Sequence, residues 1–394
     1  MPGPLESLKV LDFSTLLPGP FASLMLADMG AQVLRVESPE RMDLVRLLPP
    51  HVDGVSASHA YLNRNKDCIG LNLKTPEAQA IVRELVAEYD IVIEQFRPGV
   101  MDKLGVGYAA LRAINPRLIY VSITGYGQTG PYHQRAGHDI NYLALSGLAS
   151  YTGRRASGPV PPGMQVADLA GGSLHALAGL LAAVIHRQQT GEGQHVDISM
   201  TDCVFSLNAM AGAACLAAGE EPALESTLLN GGSFYDYYQT RDGRWMAVGS
   251  LEPQFMQPLC SVLGCPELAA KGLSPLPADR ARVKETLKSA FATHDFSHWQ
   301  ARFAAIDACV EPVLSLSEAA EHPQLRARGL VQAVPVPGSD RAQPQIACPI
   351  VFGSGLAAPR HIGKAVGEDT LRVLRGLGMS AEAIAQLHAA GAIG

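Results

Sequence analysis

The sequence predicts an α/β protein built on a mostly parallel, doubly wound sheet. Strand-like and helical segments alternate five times in the first 200 residues, which is typical of parallel sheets. The chain opens with one such unit: an apolar strand at 8–14, a helix at 18–30 closed by Gly30, and a second strand at 31–37. The length of 394 residues, with 47% apolar and 17% charged residues, is enough for two packed domains and excludes a disordered chain.

The remaining elements of this sheet follow in order. Thr75 and Pro76 are an N-cap and a first-turn proline, so they start a helix. A long polar loop occupies 128–139, and a turn leads into a long core helix at 165–191 that ends at Gly191. The further strands are predicted at 68–74, 90–96, 117–127 and 195–200, with another helical stretch at 107–114.

From about residue 220 the pattern changes to a smaller α+β domain. Two strands flank the turn Arg241-Asp242-Gly243, and three or four helices follow between 252 and 330. The tail contains a strand candidate at 346–352 and two short helices. We therefore assign 1–200 and 330–394 to a large α/β domain, 201–219 to a linker helix and 220–329 to the small domain.

Composition also excludes several classes of function. The net charge of −6 without Lys/Arg clusters argues against nucleic-acid and anionic-membrane partners. The most apolar stretch, Leu174 to Ile185, is shorter than the ~20 residues that span a bilayer, so we expect a core helix. The seven cysteines are widely spaced and predict free thiols and no metal site. The N-terminus lacks a secretory pattern, so we expect a cytoplasmic protein.

No redox or nucleotide cofactor is expected. The first strand-to-helix turn, residues 14–20, lacks the GxGxxG pattern of dinucleotide sites, and two prolines stand where flexible glycines would be. The sequence has neither a phosphate-binding GxxxxGK[ST] loop nor a GxSxG nucleophile turn.

Three residues at helix starts could carry acid/base chemistry. His138 ends the polar loop just before a helix, where it either caps that helix or faces a ligand. Asp168 precedes a long apolar helix; it either acts as an N-cap or lies beside unpaired N–H groups that could hold an oxyanion. Glu252 precedes a helix beside Pro253, where a carboxylate also complements the helix dipole.

Three cations lie at or beside strand ends. In a parallel sheet the ligand crevice lies outside the carboxyl ends of the strands. Arg35, Lys66 and Arg97 fall near such ends, and together they could bind a multiply phosphorylated ligand. Solvated surface charge is the alternative for each of them.

Long segments of the chain resemble the family III CoA-transferase superfamily, from about residue 7 to about 390. Three segments match its opening motifs: LKVLDFSTLLPGPFASLMLADMGAQVLRVE, NRNKDCIGLNLKTPEA and VIEQFRPGVMDKLGVGY. Three others resemble its racemase branch: YVSITGYGQTGPYHQRAGHDINYLALSG, ADLAGGSLHALAGLLAA and SLEPQF. The resemblance implies a Rossmann-like large domain and a small domain in an interlocked homodimer.

The resemblance also implies a reaction. The substrate would be a coenzyme A thioester, its phosphates met by Arg35, Lys66 and Arg97, with no prosthetic group. His138 and Asp168 match the acid/base pair on opposite faces of the α-carbon. Glu252, from the small domain of the same or a partner subunit, matches the acid that orients or protonates the histidine.

We therefore expect a 2-methylacyl-CoA racemase working through an enolate. In the transferases of the same superfamily the aspartate equivalent to Asp168 instead attacks the thioester and forms an acyl anhydride. A CoA transferase is thus the alternative, and a CoA-binding protein without turnover is a third.

Overall fold

The structure, a computed structural model, describes residues 3–394 and divides into two units. The first unit comprises the described part of Met1–Ser146, Gly163–Leu207 and Gln324–Gly394, and the second comprises Gly147–Pro162 and Asn208–Pro323. The segment 147–162 therefore belongs to the second unit, not to the large domain. The predicted linker helix at 201–219 is instead two helices, one in each unit.

Six parallel strands form the sheet of the first unit. They are β1 (Lys9–Asp12), β2 (Gln32–Glu37), β3 (Asp67–Gly70), β4 (Ile91–Glu94), β5 (Ile119–Thr124) and β6 (His195–Ser199). Their spatial order is β3-β2-β1-β4-β5-β6, the order of doubly wound dinucleotide-binding folds. All six strands were predicted, and the strand order reverses between β1 and β4.

Helices cover both faces of this sheet, so its strands are continuous apolar runs. Leu11, Leu34 and Val92 pack in one core with helices on their side of the sheet. Their neighbours Val10 and Val33 are equally buried but lie outside that core, since they point to the opposite face. The helices of the first unit are α1 (Pro18–Asp28), α2 (Ala57–Leu62), α3 (Pro76–Leu85), α4 (Val100–Lys103), α5 (Tyr108–Arg112), α6 (Asp139–Leu145), α7 (His175–Thr190), α8 (Met200–Leu207), α15 (Thr370–Gly376) and α16 (Ala381–Ala389).

The long core helix begins with π-helical geometry over Ala167–Leu174 and continues as α7 to Gly191, whose φ of +81° ends it as predicted. The continuous helix has 24 residues and is apolar and long enough to cross a membrane. The argument that its apolar stretch is too short for a bilayer was therefore wrong. In this fold α7 packs on β5 and β6, and it buries Arg187, which pairs with Asp90 at 2.6 Å.

The second unit contains an antiparallel three-stranded sheet. Its strands are β7 (Asp236–Gln239), β8 (Trp245–Val248) and β9 (Val310–Pro312), in the order β7-β8-β9. The predicted turn at Arg241-Asp242-Gly243 joins the first two strands. Its helices are α9 (Ala209–Ala218), α10 (Pro253–Val262), α11 (Pro277–Phe291), α12 (Phe296–Phe303) and α13 (Leu316–Glu321), and α14 (Pro323–Ala327) begins at its boundary.

The tail differs from the prediction in one strand. The observed strands β10 (Val331–Pro335) and β11 (Ala342–Ile346) form a hairpin, and the predicted strand at 346–352 is irregular. Pro349 lies within that apolar run and has no N–H to donate to a ladder, so apolar composition alone misplaced the strand. The two tail helices, α15 and α16, were predicted.

Candidate active site

A cavity of about 480 Å³ lies where the strand order reverses. Loops that follow the carboxyl ends of β1, β4 and β5 form most of its wall, as expected for a ligand crevice in a doubly wound sheet. Its lining residues are Leu16, Pro18, Gln95 to Pro98, Ile123 to Tyr126, His133, Arg135 to His138, Asn141, Tyr142, Asp168 and Met200. The cavity therefore brings together three of the six predicted site residues: Arg97, His138 and Asp168.

Hydrogen bonds to the side chains of Asp43 and Gln95 hold the loop after β1 in place. The Leu16 N–H donates to the Asp43 carboxylate, with both N–O distances at 3.1 Å, and Leu16 adopts a φ of +59°. The Gly19 N–H donates to Gln95 Oε1 at 3.0 Å. A Cβ at Gly19 would lie 2.2 Å from the Ser14 Cβ, so only glycine fits there. These contacts fix the backbone that forms one wall of the cavity.

Arg35 lies beneath this loop rather than at a ligand surface. Its side chain is 1% exposed, and its guanidinium pairs with Asp43 at 2.6 Å and with Glu37 at 3.1 Å. Burial disfavours its charge, but the neighbouring carboxylates raise the pKa of Arg35 above its ordinary value. The charge of Arg35 is thus balanced inside the protein.

Lys66 is buried in the same way. Its ammonium donates to the Pro20 carbonyl at 2.9 Å and lies 3.4 Å from the Asp12 carboxylate. Burial lowers the pKa of Lys66 to about 8, although Asp12 acts in the opposite direction. Arg35 and Lys66 are thus buried and do not line the cavity, and the expectation that they meet ligand phosphates stays a prediction. Of the three predicted cations, only the exposed Arg97 lines the cavity.

His138 and Asp168 reach the cavity from two different helices. His138 is the exposed N-cap residue of α6, and its backbone N–H donates to Asn141 Oδ1 at 3.0 Å. Asp168 lies in the first turn of the π-helical segment and is half-buried. The expected N-cap position of Asp168 was therefore wrong by two residues, since Val166 is the N-cap.

Asp139, a residue that sequence reasoning passed over, joins the two helices. Its Oδ1 accepts hydrogen bonds from the backbone N–H groups of Ala167, at 2.6 Å, and Asp168, at 3.0 Å. These N–H groups were expected to be unpaired and available to an oxyanion, but they are occupied. The available signal was the position of Asp139 at the start of a helix, directly after His138, yet its partners lie 28 and 29 residues further along the chain.

The surroundings of Asp168 raise the pKa of its carboxyl group toward neutral pH. Burial raises the pKa of the Asp168 carboxyl to about 6; the negative charge of Asp139 adds to the rise, and His138 opposes it. A carboxyl group with this pKa exchanges protons readily near neutral pH. A carboxyl and an imidazole that line one cavity can therefore act as an acid/base pair.

Tyr142 packs behind the pair. Its hydroxyl donates to the Gly137 carbonyl at 2.6 Å, and its ring meets Tyr126 edge-on at 5.3 Å between centroids. Burial, with Asp168 next in effect, raises the pKa of Tyr142 to about 12, so the hydroxyl remains a donor. A Cβ at Gly125 or Gly137 would come within 2.4 or 2.6 Å of this ring. The two glycines therefore make room for the tyrosine.

Glu252 belongs to the second unit, where it is exposed and precedes α10 as its N-cap residue. Its backbone carbonyl accepts from the N–H groups of Phe255 and Met256. A role for its side chain in assisting His138 stays a prediction. Across residues 3–394, no group of three or more His, Cys, Asp or Glu side chains is arranged to hold a metal ion.

Fold and cavity together define a doubly wound α/β protein with an imidazole and a carboxyl group at its switch point. The family model described as CoA-transferase family III matches residues 5–370, so the chain belongs to this family. It is 35% identical over 386 residues to the human alpha-methylacyl-CoA racemase, covering 98% of this chain and 96% of the human protein. It is 37% identical to the succinate–glutarate CoA-transferase of Agrobacterium fabrum, covering 83% of this chain and 84% of that protein.

A solved structure has the same fold. The crystal structure of a CAIB/BAIF family protein from Brucella suis superposes with a TM-score of 0.83 at 31% sequence identity. The match covers 96% of this chain and all of that one. The family thus includes racemases and CoA transferases at similar identity to this chain.

Proposed function

We propose that this protein is a 2-methylacyl-CoA racemase. The observation that carries the proposal is the shared cavity of His138 and Asp168, in which the pKa of Asp168 is raised to about 6. One group removes the α-proton, and the electron pair of the broken C–H bond moves into the thioester carbonyl to form an enolate. The other group then returns a proton to the opposite face. Protons and electrons balance without a redox or metal cofactor.

The choice between a racemase and a transferase rests on the cavity residues, because relatives of both kinds align with nearly the whole chain: 98% for the human racemase and 99% for an acyl-CoA transferase of Fusarium pseudograminearum. A CoA transferase remains the second candidate because the Asp168 carboxylate could attack a thioester to give an anhydride and free CoA thiolate. That reaction makes no use of a base at position 138, so His138 favours the racemase.

Cations at the mouth of the cavity suit the phosphates of coenzyme A. Arg97 and Arg135 both line the cavity and are exposed. Guanidinium groups bind phosphate oxygens in pairs, which fits a diphosphate. We propose that these two arginines, instead of Arg35 and Lys66, meet the coenzyme A moiety.

We also propose a homodimer in the cytoplasm. Every residue of α9 is apolar or Gly, and none is buried within the chain; Met210 and Leu216 are 77% and 78% exposed. A helix that is apolar on all sides belongs in a protein interior. We assign a second copy of the chain as its cover, which light scattering tests: a monomer at micromolar concentration would contradict it.

The deciding experiment follows the α-proton by NMR. The enzyme is incubated in D₂O with (R)-2-methylacyl-CoA and no acceptor acid. We expect the α-proton signal to disappear while the S epimer accumulates. An unchanged α-proton together with acyl transfer to an added carboxylic acid would overturn the racemase in favour of the transferase.

Two variants separate the candidates further. A racemase loses most of its activity in both His138→Ala and Asp168→Ala, because each face of the carbon needs its own group. A transferase retains activity in His138→Ala and loses it only in Asp168→Ala. Exposed His186, outside the cavity lining, gives the matched control His186→Ala, which should leave either activity unchanged.

A further inference from the structure

Glu94, the last residue of β4, is a buried carboxyl group that the proposed reaction does not use. It is 4% exposed, and it forms no ion pair with any residue of the described chain, 3–394. Its Oε2 accepts a hydrogen bond from the Phe96 N–H at 2.8 Å, and the Ser122 hydroxyl on β5 favours the ionised carboxylate. Ser122 in turn lies 2.9 Å from His195 Nε2.

The charged groups around Glu94 are acidic. Asp102 on α4 and Asp197 on β6 both disfavour the negative charge of Glu94. The neighbouring Tyr120 and the neutral imidazole of His195 carry no positive charge that would compensate for it. Burial raises the pKa of Glu94 to about 7, while the bonds from Ser122 and the Phe96 N–H lower it. As pH rises above about 7, the fold therefore holds a carboxylate without a cation.

Such a group costs the fold stability. A buried carboxylate without a paired cation is unfavourable, and an amide of the same shape would keep an acceptor for the Phe96 N–H without the charge. The fold alone gives no reason for a carboxylate here. Buried groups with raised pKa values beside a cavity are candidates for functional roles.

Glu94 holds the turn of residues 95–97, which lines the cavity. Its contact with the Phe96 N–H closes the backbone directly after β4. The three residues of that turn, Gln95, Phe96 and Arg97, all line the cavity. Gln95 also accepts the Gly19 N–H, so the same turn supports the loop after β1.

We propose that Glu94 is a positioning residue, whose carboxylate fixes the Gln95–Arg97 turn so that Arg97 meets the coenzyme A thioester. The charge strengthens the hydrogen bond to the Phe96 N–H, since ionised acceptors bind more tightly than neutral ones. This proposal rests on the proposed function only in naming the ligand.

Glu94→Gln tests the role of the charge. The amide keeps the shape and an acceptor oxygen, and exposed Glu192→Gln is the matched control. The measurements are the Kd for acetyl-CoA by calorimetry, and kcat and KM for α-proton exchange, from pH 5.5 to 8.5. At pH 8 we expect Kd and KM to rise about three- to ten-fold with kcat nearly unchanged, because the charge-assisted hydrogen bond to the Phe96 N–H becomes a weaker neutral one.

The pH profile distinguishes positioning from a structural role. Wild-type binding should weaken as pH falls through about 7, when Glu94 gains a proton, whereas binding by Glu94→Gln should lack this step. Ser122→Ala removes a bond that favours the carboxylate, so it should move the step to higher pH. Because Ser122→Ala keeps Glu94, it provides the test even where Glu94→Gln fails to fold.

Four outcomes decide the question. Wild-type Kd values in Glu94→Gln at every pH would overturn the proposal, and so would a step that Ser122→Ala leaves in place. Weaker acetyl-CoA binding by Glu94→Gln, with no α-proton exchange by the wild type, would support the positioning role while refuting the racemase. Weaker binding together with wild-type exchange supports both.

Discussion

Asp139 Oδ1 lies 3.0 Å from the backbone nitrogen of Asp168 and accepts its N–H. The residue that follows His138 therefore caps the helical segment that presents Asp168. Because this carboxylate touches the backbone of one acid/base residue and is the sequence neighbour of the other, it fixes both groups relative to each other. Its charge also raises the pKa of Asp168.

Replacing Asp139 should separate these two effects. Asp139→Asn keeps an oxygen that can accept both N–H groups but removes the charge, so the pKa of Asp168 should fall below about 6. In the direction in which Asp168 accepts the α-proton, the acid limb of kcat/KM should move to lower pH. Asp139→Ala removes the cap as well, at a cost of about 1 kcal/mol in stability. An acid limb that stays in place in Asp139→Asn would contradict the electrostatic effect.

Asp168→Asn should stabilise the protein at alkaline pH while abolishing activity. The pKa of Asp168 in the folded state, about 6, lies above the value of about 3.9 in unfolded chains. Its contribution to stability is therefore present below pH 4 and is lost as pH rises through 6. The Tm of Asp168→Asn should exceed that of the wild type at pH 8, and the difference should vanish near pH 4. Equal Tm values at pH 8 would indicate that Asp168 ionises freely.

Arg35→Met and Arg97→Met should give opposite results. Loss of Arg35 leaves Asp43 buried without its cation and Glu37 with Arg46 alone, so the free energy of unfolding should fall by about 3–5 kcal/mol. Arg97 is exposed, so its loss should change that free energy by about 0.5 kcal/mol or less and weaken acyl-CoA binding instead. Denaturant unfolding and calorimetry measure the two quantities. A stable Arg35→Met with weak acyl-CoA binding would reinstate Arg35 as a ligand contact.

Gly137→Ala should damage the cavity without backbone strain. Its φ is not in the left-handed region, so the effect comes from the new Cβ, which would lie 2.6 Å from the Tyr142 ring. The ring must move, and we expect kcat/KM to fall at least about ten-fold, as for other misplacements near reacting groups. Gly376→Ala is the control, because no heavy atom lies within 4 Å of its added Cβ. Full activity in Gly137→Ala would mean that Tyr142 has no influence on the reaction.

The sheet was predictable because its signal is local. The strands of a parallel sheet are covered on both faces, so each is a short apolar run bounded by turn residues, and β4 and β5 are buried along their whole length. The same local signal failed at 346–352, where Pro349 interrupts an apolar run. It also gave three or four helices for the segment 252–330, which has five, because the short Pro-bounded segments there do not show a clear period.

The cavity was predictable only in part. His138 and Asp168 were found through motifs, whereas Asp139 acts through backbone atoms 28 and 29 residues away, which no spacing rule reveals. The position of a cation at a strand end does not indicate whether it faces solvent. Arg35 is buried because Asp43, eight residues later, folds back over it. Such contacts depend on tertiary packing and are absent from any local pattern.

The buried ion pairs of Arg35 and Lys66 separate the supporting residues of this chain from those that line the cavity. The N-terminal motifs that contain these cations support the loops, and other residues line the cavity. Under the proposed function, an engineer who wishes to change the substrate should leave the supporting residues intact and vary the loop residues between 95 and 98 and between 133 and 138. A search for relatives with the same substrate should likewise compare those loops, since two proteins can share the supporting residues and still differ in the residues that line the cavity.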